Sequence, residues 1–250
     1  MATLYSFCST ETLAQYAAKY WIRVGQQAIQ DKGSFHIALS GGSTPKKIHQ
    51  IITDPAYRDQ LDWSKVHFYF GDERCVPPNH IDSNFRMANE TLFSKISCHS
   101  KNIHRMQGEL KPQTAAQLYA ETLHNHLPWE QNKQPYFDLI LLGMGPDGHT
   151  ASLFPNTTAL SIRNKNVAAN YVEKLHAWRI TLTYPMLNSA HKILIIAHGE
   201  KKQPVLKTIL ASPSEQHYPI MDIKPNGELV WYLDDKASQG INAAFQYIQG

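Results

Sequence analysis

Three short stretches of this sequence join glycines to residues able to bind an anion or move a proton. The first is Ser40-Gly41-Gly42-Ser43-Thr44-Pro45. Adjacent glycines let backbone N–H groups approach a ligand, a helix entered at Pro45 points its positive end at the same spot, and Ser43 and Thr44 add hydroxyls. That suits a phosphate, although the loop is neither a Walker A sequence nor G-x-G-x-x-G. A plain strand-to-helix turn would have the same composition. The second stretch is Gly143-Met144-Gly145-Pro146-Asp147-Gly148-His149. His149 beside a carboxylate suits a general base near neutral pH, with Asp147 either orienting it or turned into its own loop. A helix is expected to begin just after His149, and the backbone donors before it would stabilise an anion. The third is Gly71-Asp72-Glu73-Arg74. Here Arg74 can grip a carboxylate or phosphate through two hydrogen bonds, and Asp72 can orient it or accept substrate hydroxyls; a surface ion pair is the plainer alternative. Arg179 and Lys202 are further cations able to reach a phosphate, though each alone reads as an ordinary surface charge.

Other candidates carry less. His124 and His126 sit two apart on an expected helix and so face different ways, which is not a metal pair. Cys75 adjoins the Asp-Glu-Arg turn but has no readable histidine partner and is taken as packing. In the polar run from Asn79 to Arg86, some residues are expected to build the lip of the site, with Asn84 or Arg86 only bracing it. No Gly-x-Ser-x-Gly elbow is present.

These loops need a scaffold, and the hydrophobic pattern supplies one. Thr10 to Asp31 reads as a helix, with Leu13, Ala17, Tyr20, Val24 and Ala28 on one face and Thr10 as its cap. Strand Phe35–Leu39, the Ser40–Pro45 loop, a helix to about Thr53 and strand Val66–Phe70 make a βαβ unit, and hence a parallel sheet. Asp82 is expected to cap a helix through Phe93, and Thr114 with Gln117 to form a capping box for one ending before Pro128. Phe137–Leu142, Ile193–Ala197 and Leu229–Leu233 are apolar runs suited to strands buried on both faces. Ile180–Thr183 alternates like a strand, and Lys236–Ile248 reads as the last helix. Ligands of open α/β sheets sit beyond the carboxyl ends of the strands, so the three polar loops should converge there on one site.

Composition narrows the function. The 250 residues are 42% hydrophobic and 10% aromatic, which excludes a disordered chain. With Lys+Arg 24 against Asp+Glu 21, the formal charge of +3 is too mild and too dispersed for a nucleic-acid binder. No apolar run approaches a membrane span, and the N-terminal stretch lacks a signal-peptide pattern. Cys8, Cys75 and Cys98 share no metal or disulfide spacing, so a reducing cytoplasm fits best. One domain over 1–250 is expected.

Taken together, SGGSTP (40–45), GDERCVPPNHIDSNFRMANETLF (71–93), DLILLGMGPDGHTASLFP (138–155) and RITLTYPMLNSA (179–190) resemble the 6-phosphogluconolactonase family in order and interval, from near Thr10 to near Phe245. The resemblance implies an α/β fold: a modified Rossmann-like, mostly parallel sheet with flanking helices, like glucosamine-6-phosphate deaminase and ribose-5-phosphate isomerase. It implies a hydrolase needing no metal or cofactor, which opens 6-phospho-D-glucono-1,5-lactone to 6-phosphogluconate in the oxidative pentose phosphate pathway. By position, His149 would activate water and Asp147 orient it. Gly41, Gly42, Ser43 and Thr44 would cradle the phosphate, with Arg179 and Lys202 as its cations. Asp72 and Arg74 would meet the sugar acid or polarise its carbonyl. A small phosphorylated lactone is the implied partner, met by a monomer in the cytoplasm, with no nucleic acid or membrane.

Two other functions are compatible with parts of this pattern. Related deaminases carry I-A-F-N-E-P after the histidine, with a glutamate used in ring opening; here Thr150 to Pro155 puts Phe154 in its place. That loss disfavours aldose–ketose proton transfers. A non-catalytic sugar-phosphate sensor would keep the anion loop and the cations but not need His149. The chain also departs from the family in Lys174–Trp178, which lacks a proline often found there, and in 213–224, which matches loosely.

Overall fold

The computed structural model describes residues 2–130, 134–210 and 216–248. The chain opens with β1 (Thr3–Phe7) and α1 (Thr10–Lys32), whose stripe Leu13, Ala17, Tyr20 and Val24 is buried. Ser9 rather than Thr10 caps α1, accepting from the Thr12 N–H at 3.1 Å. The Thr10 hydroxyl instead donates to Asp234. β2 (Phe35–Leu39), buried at all five positions, leads to α2 (Ser43–Ile52) and the short α3 (Pro55–Arg58). β3 (Val66–Phe70) runs through Gly71 into β4 (Asp72–Arg74), followed by α4 (Asn84–Thr91) and α5 (Pro112–His126). β5 (Leu139–Gly143) precedes a hairpin of β6 (Val167–Val172) and β7 (Ala177–Leu182). Then come α6 (Tyr184–Asn188), β8 (Lys192–Ala197), α7 (Gln203–Leu210), β9 (Glu228–Asp234), α8 (Asp235–Ser238) and β10 (Phe245–Ile248).

Seven strands form one sheet in the order β10-β1-β9-β8-β5-β2-β3, with every neighbouring pair parallel. Its central strands are buried on both faces, which is why they read as apolar runs rather than alternating ones. Each fully buried Leu or Ile there contributes roughly 1.5–3 kcal/mol. β4, β7 and β6 form a small antiparallel sheet. Gly71 joins the two sheets: its N–H donates to the Leu39 carbonyl at 2.8 Å, and its carbonyl accepts from the Leu182 N–H at 2.9 Å.

Local details differ from the sequence reading. Ser83, not Asp82, caps α4, its Oγ accepting from the Arg86 N–H at 3.1 Å. α5 begins at Pro112, so Thr114 and Gln117 lie inside the helix and no capping box forms there. No helix begins directly after His149. Ala151 takes a left-handed φ of 47°, and Leu153 N–H closes a turn onto the Thr150 carbonyl at 2.9 Å. The backbone donors expected from a helix at that point are therefore not formed. The expected helix 236–248 stops at Ser238, since Gly240 turns the chain with φ 67°. Phe245–Ile248 then pairs with β1 as a parallel edge strand. His124 and His126 diverge, His124 against Trp129 and His126 against His104. Of the loosely matched 213–224 segment, residues 213–215 lie outside the described residues.

Candidate active site

The chain leaves β2 toward β3 but leaves β5 toward β8, on the opposite side. Where neighbouring parallel strands send their connections apart, a crevice opens beyond their carboxyl ends. The Ser40–Pro45 and Gly143–His149 loops flank this crevice, and the small sheet stands over it. The resulting cavity of about 440 Å³ is lined by Gly41, Asp72, Arg74, His149, Arg179 and Lys202, among others. A narrower arm of about 140 Å³ is lined by Gly42, Ser43 and Thr44 and shares Gly41 and Lys202 with the main cavity. Asp147 stands behind His149. The sequence-selected residues are thus brought together.

His149 is held on two sides. Its Nδ1 lies 2.5 Å from Asp147 Oδ1, and its ring stacks on Phe154 with centroids 3.9 Å apart and planes 22° apart. A carboxylate on Nδ1 fixes the proton there and leaves the Nε2 lone pair able to accept one. Nε2 has no hydrogen-bond partner among the described residues. Burial pushes the His149 pKa below the ordinary imidazole value, with Asp147 and Asp72 working against that shift. Asp147 is held at about 2, its burial being outweighed by hydrogen bonds from Lys174 and His149. The result is a neutral imidazole beside an ionised carboxylate at neutral pH. Gly145 makes this geometry possible, because a Cβ there would lie 2.0 Å from His149 Nδ1.

The Asp-Glu-Arg turn divides its labour. Glu73 is a buried brace: it accepts from the backbone N–H groups of Arg74, Asn84 and Phe85, each at 2.8 Å, and from the Ser83 hydroxyl at 3.1 Å. Asp72 Oδ2 accepts from the Ser152 hydroxyl at 2.6 Å, and Asn84 Nδ2 donates to the Asp72 carbonyl at 2.9 Å. Asp72 therefore sets negative potential in the wall rather than pairing with Arg74, whose guanidinium donates to the Asp82 carbonyl.

Arg74 and Arg179 are direct cross-strand partners in the β4–β7 register. Like charges so placed repel unless an anion lies between them. Burial and the Arg74 charge both lower the Arg179 pKa, and burial lowers that of Lys202. Among the described residues, none of Arg74, Arg179 and Lys202 makes an ion pair with a carboxylate. The first turn of α2 adds donors: Gly42 takes φ 113° and supplies no side-chain cap, and Pro45 brings no N–H. The N–H groups of Ser43 and Thr44 remain for an anion in the narrow arm.

Sequence reasoning missed two residues. Ser152 lies three residues after His149 and was readable only as part of that motif. Lys174 sits on the hairpin turn between β6 and β7 and pairs with Asp147 across the site; nothing local marks it. Cys75 is half-buried and its thiol is pushed up to about 11 by burial, consistent with packing. Among the described residues there is no group of three or more His, Cys, Asp and Glu side chains able to hold a metal. No described helix is long and apolar enough to cross a membrane.

A family profile described as glucosamine-6-phosphate isomerases/6-phosphogluconolactonase matches residues 9–231. A 6-phosphogluconolactonase of Synechocystis is 39% identical over 217 residues, 86% of this chain and 88% of the relative. The solved 6-phosphogluconolactonase of Trypanosoma brucei superposes with a TM-score of 0.85 at 25% identity, covering 96% of this chain and 99% of that one. A solved monomeric glucosamine-6-phosphate deaminase, 15% identical, shares the fold with a TM-score of 0.79 over 94% of this chain and 98% of its own.

Proposed function

The chain belongs to the glucosamine-6-phosphate isomerase/6-phosphogluconolactonase family and is a lactone hydrolase acting on 6-phosphogluconolactone in the pentose phosphate pathway, and on that premise we propose that His149 is its general base. In this reading the lactone phosphate lies in the narrow arm, against Lys202 and the N–H groups of Ser43 and Thr44. The carbonyl carbon then lies under His149. Nε2 takes a proton from water as the water oxygen adds to that carbon. The carbonyl oxygen becomes an oxyanion, which the guanidinium groups of Arg74 and Arg179 stabilise. Asp147 holds the imidazolium that has formed. When the tetrahedral intermediate collapses, the bond from carbon to ring oxygen breaks, and His149 returns its proton to that oxygen as it leaves as a hydroxyl.

One observation carries the reading. A histidine fixed by a carboxylate on Nδ1, with Nε2 unpartnered, shares a cavity with three cations lacking carboxylate partners. Phe154 stacks on that histidine where an isomerising relative would need a carboxylate. An apolar ring there can move no proton between carbons, whereas addition of water to an ester needs only the one base. We further place the reaction in the cytoplasm, carried out by a monomer without nucleic-acid or membrane partners, in line with the near-balanced charge.

The test is lactone hydrolysis with substrate generated in situ and acid release followed against an enzyme-free blank. Acceleration by wild type that collapses toward the blank in His149→Ala supports the assignment. Ammonia release from glucosamine 6-phosphate, run in parallel, would support the isomerase reading. Binding of 6-phosphogluconate without turnover in either assay would make the chain a sensor.

A further inference from the structure

The β6–β7 hairpin reaches over the cavity, and its turn, Glu173 to His176, carries one residue with contacts to both supports of His149. Lys174 Nζ pairs with Asp147 Oδ2, the carboxylate oxygen not used by the imidazole. The same ammonium lies 5.1 Å from the centroid of Phe154, whose ring stacks on His149. Lys174 lies 27 residues from Asp147, so the pairing exists only when the hairpin is closed down on the Gly143–His149 loop. His176 takes a left-handed φ of 46° at the end of this turn, and its N–H donates to the Glu173 carbonyl.

We propose that Lys174 is a positioning residue for the hydrolysis, latching the hairpin onto Asp147 and offsetting the carboxylate charge that acts on His149. The inference rests on His149 being the base. An imidazole paired with a bare carboxylate becomes a stronger base but is protonated at higher pH. A second cation on the same carboxylate moderates that effect, so the imidazole stays neutral in the working range while its orientation is kept. The charged groups facing His149 are Asp147 on its own loop, Asp72 on β4 and Lys174 on the hairpin. Arg74, Arg179 and Lys202 line the same cavity. Of these cations, Lys174 is the one in contact with Asp147.

Lys174→Met, which keeps the aliphatic length, and Lys174→Arg, which keeps the charge, separate the latch from simple packing. The His149 titration would be followed by NMR of its ring Cε1–H, identified by its loss in His149→Ala. In Lys174→Met the midpoint is expected to rise by about one pH unit, while Lys174→Arg stays with wild type. The acid limb of kcat/KM should move up by the same amount, giving a loss of several-fold to tenfold on the limb and little change at pH 8.5. A His149 midpoint that is the same in wild type and Lys174→Met overturns the proposal. So does a uniform loss of activity at every pH that Lys174→Arg fails to rescue. Absence of lactone hydrolysis in folded wild type would refute the base assignment instead, and the NMR midpoints would still decide the latch.

Discussion

Replacing Gly145 by alanine tests the arrangement at its tightest point. An added Cβ would lie 2.0 Å from His149 Nδ1, 2.2 Å from its Cε1 and 2.6 Å from Asp147 Oδ1. Ordinary contact begins near 3.4 Å, so the imidazole or the loop must retreat by about 1.4 Å. The backbone raises no objection of its own, since Gly145 is not among the positive-φ glycines. The retreat must break or lengthen the 2.5 Å contact between Nδ1 and Asp147 and tilt Nε2 away from the place proposed for the carbonyl. A displacement of about 1 Å costs on the order of 100-fold in rate, or about 2.7 kcal/mol of transition-state stabilisation. Gly145→Ala is therefore expected to lower kcat/KM for the lactone by at least about 100-fold while circular dichroism stays native. The assay is initial-rate acid release, corrected for spontaneous opening. A folded Gly145→Ala enzyme within threefold of wild type would refute the close packing on which the assignment of His149 depends.

Other consequences can be measured separately. Lys202→Met should reduce kcat/KM for the phosphorylated lactone by roughly 10- to 100-fold, the worth of a charged hydrogen bond, yet leave unphosphorylated gluconolactone little changed; equal losses on both would place Lys202 away from the phosphate. Glu73→Gln puts an amide NH₂ among four donors and should cost about 1–3 kcal/mol in urea denaturation, so an unchanged midpoint would deny Glu73 its bracing role. Burial lowers His36, His49 and His104 to about 2, about 3 and about 3, against 6.5 for free imidazole. The unfolded chain thus takes up protons below pH 6.5 that the folded chain refuses. Stability is complete above that pH and is lost as pH falls toward 3, at up to about 1.4 kcal/mol per histidine per pH unit. Equal urea stability at pH 7 and pH 5 would contradict this.

The site was legible where chemistry and scaffold share a stretch of sequence. Strand, glycine loop and helix from Phe35 to Ile52 follow from burial on both faces and a capless, Pro-bearing first turn. The Gly143–His149 loop was equally readable, since its glycines and its Asp–His pair lie within seven residues. What followed it was not. The segment after His149 has a helix-compatible composition, but the turn at Ala151 places Ser152 against Asp72 and Phe154 against His149. Those tertiary contacts outweigh local propensity. Lys236–Ile248 failed for a related reason: Gly240 breaks the helix, and Phe245–Ile248 gains a ladder with β1 that no local pattern announces. Lys174 was invisible because its partner lies across a hairpin. The three-residue β4 was invisible because its pairing is with β7, more than a hundred residues later.

The place of β1 has a bearing on how the chain is made. Residues 3–7 are synthesised long before their ladder partners, β9 at 228–234 and β10 at 245–248. At roughly 5–20 residues per second, translation takes on the order of ten seconds to a minute to pass from β1 to β9, and for that time β1 has no strand to pair with. The β2–α2–β3 unit can form beside the ribosome from local sequence, whereas the opposite half of the sheet closes only after β9 has emerged. Until then an apolar strand end is open to chaperones or to a neighbouring nascent chain. Ribosome-arrested lengths ending before and after β9 should therefore differ sharply in protease resistance of the N-terminal segment.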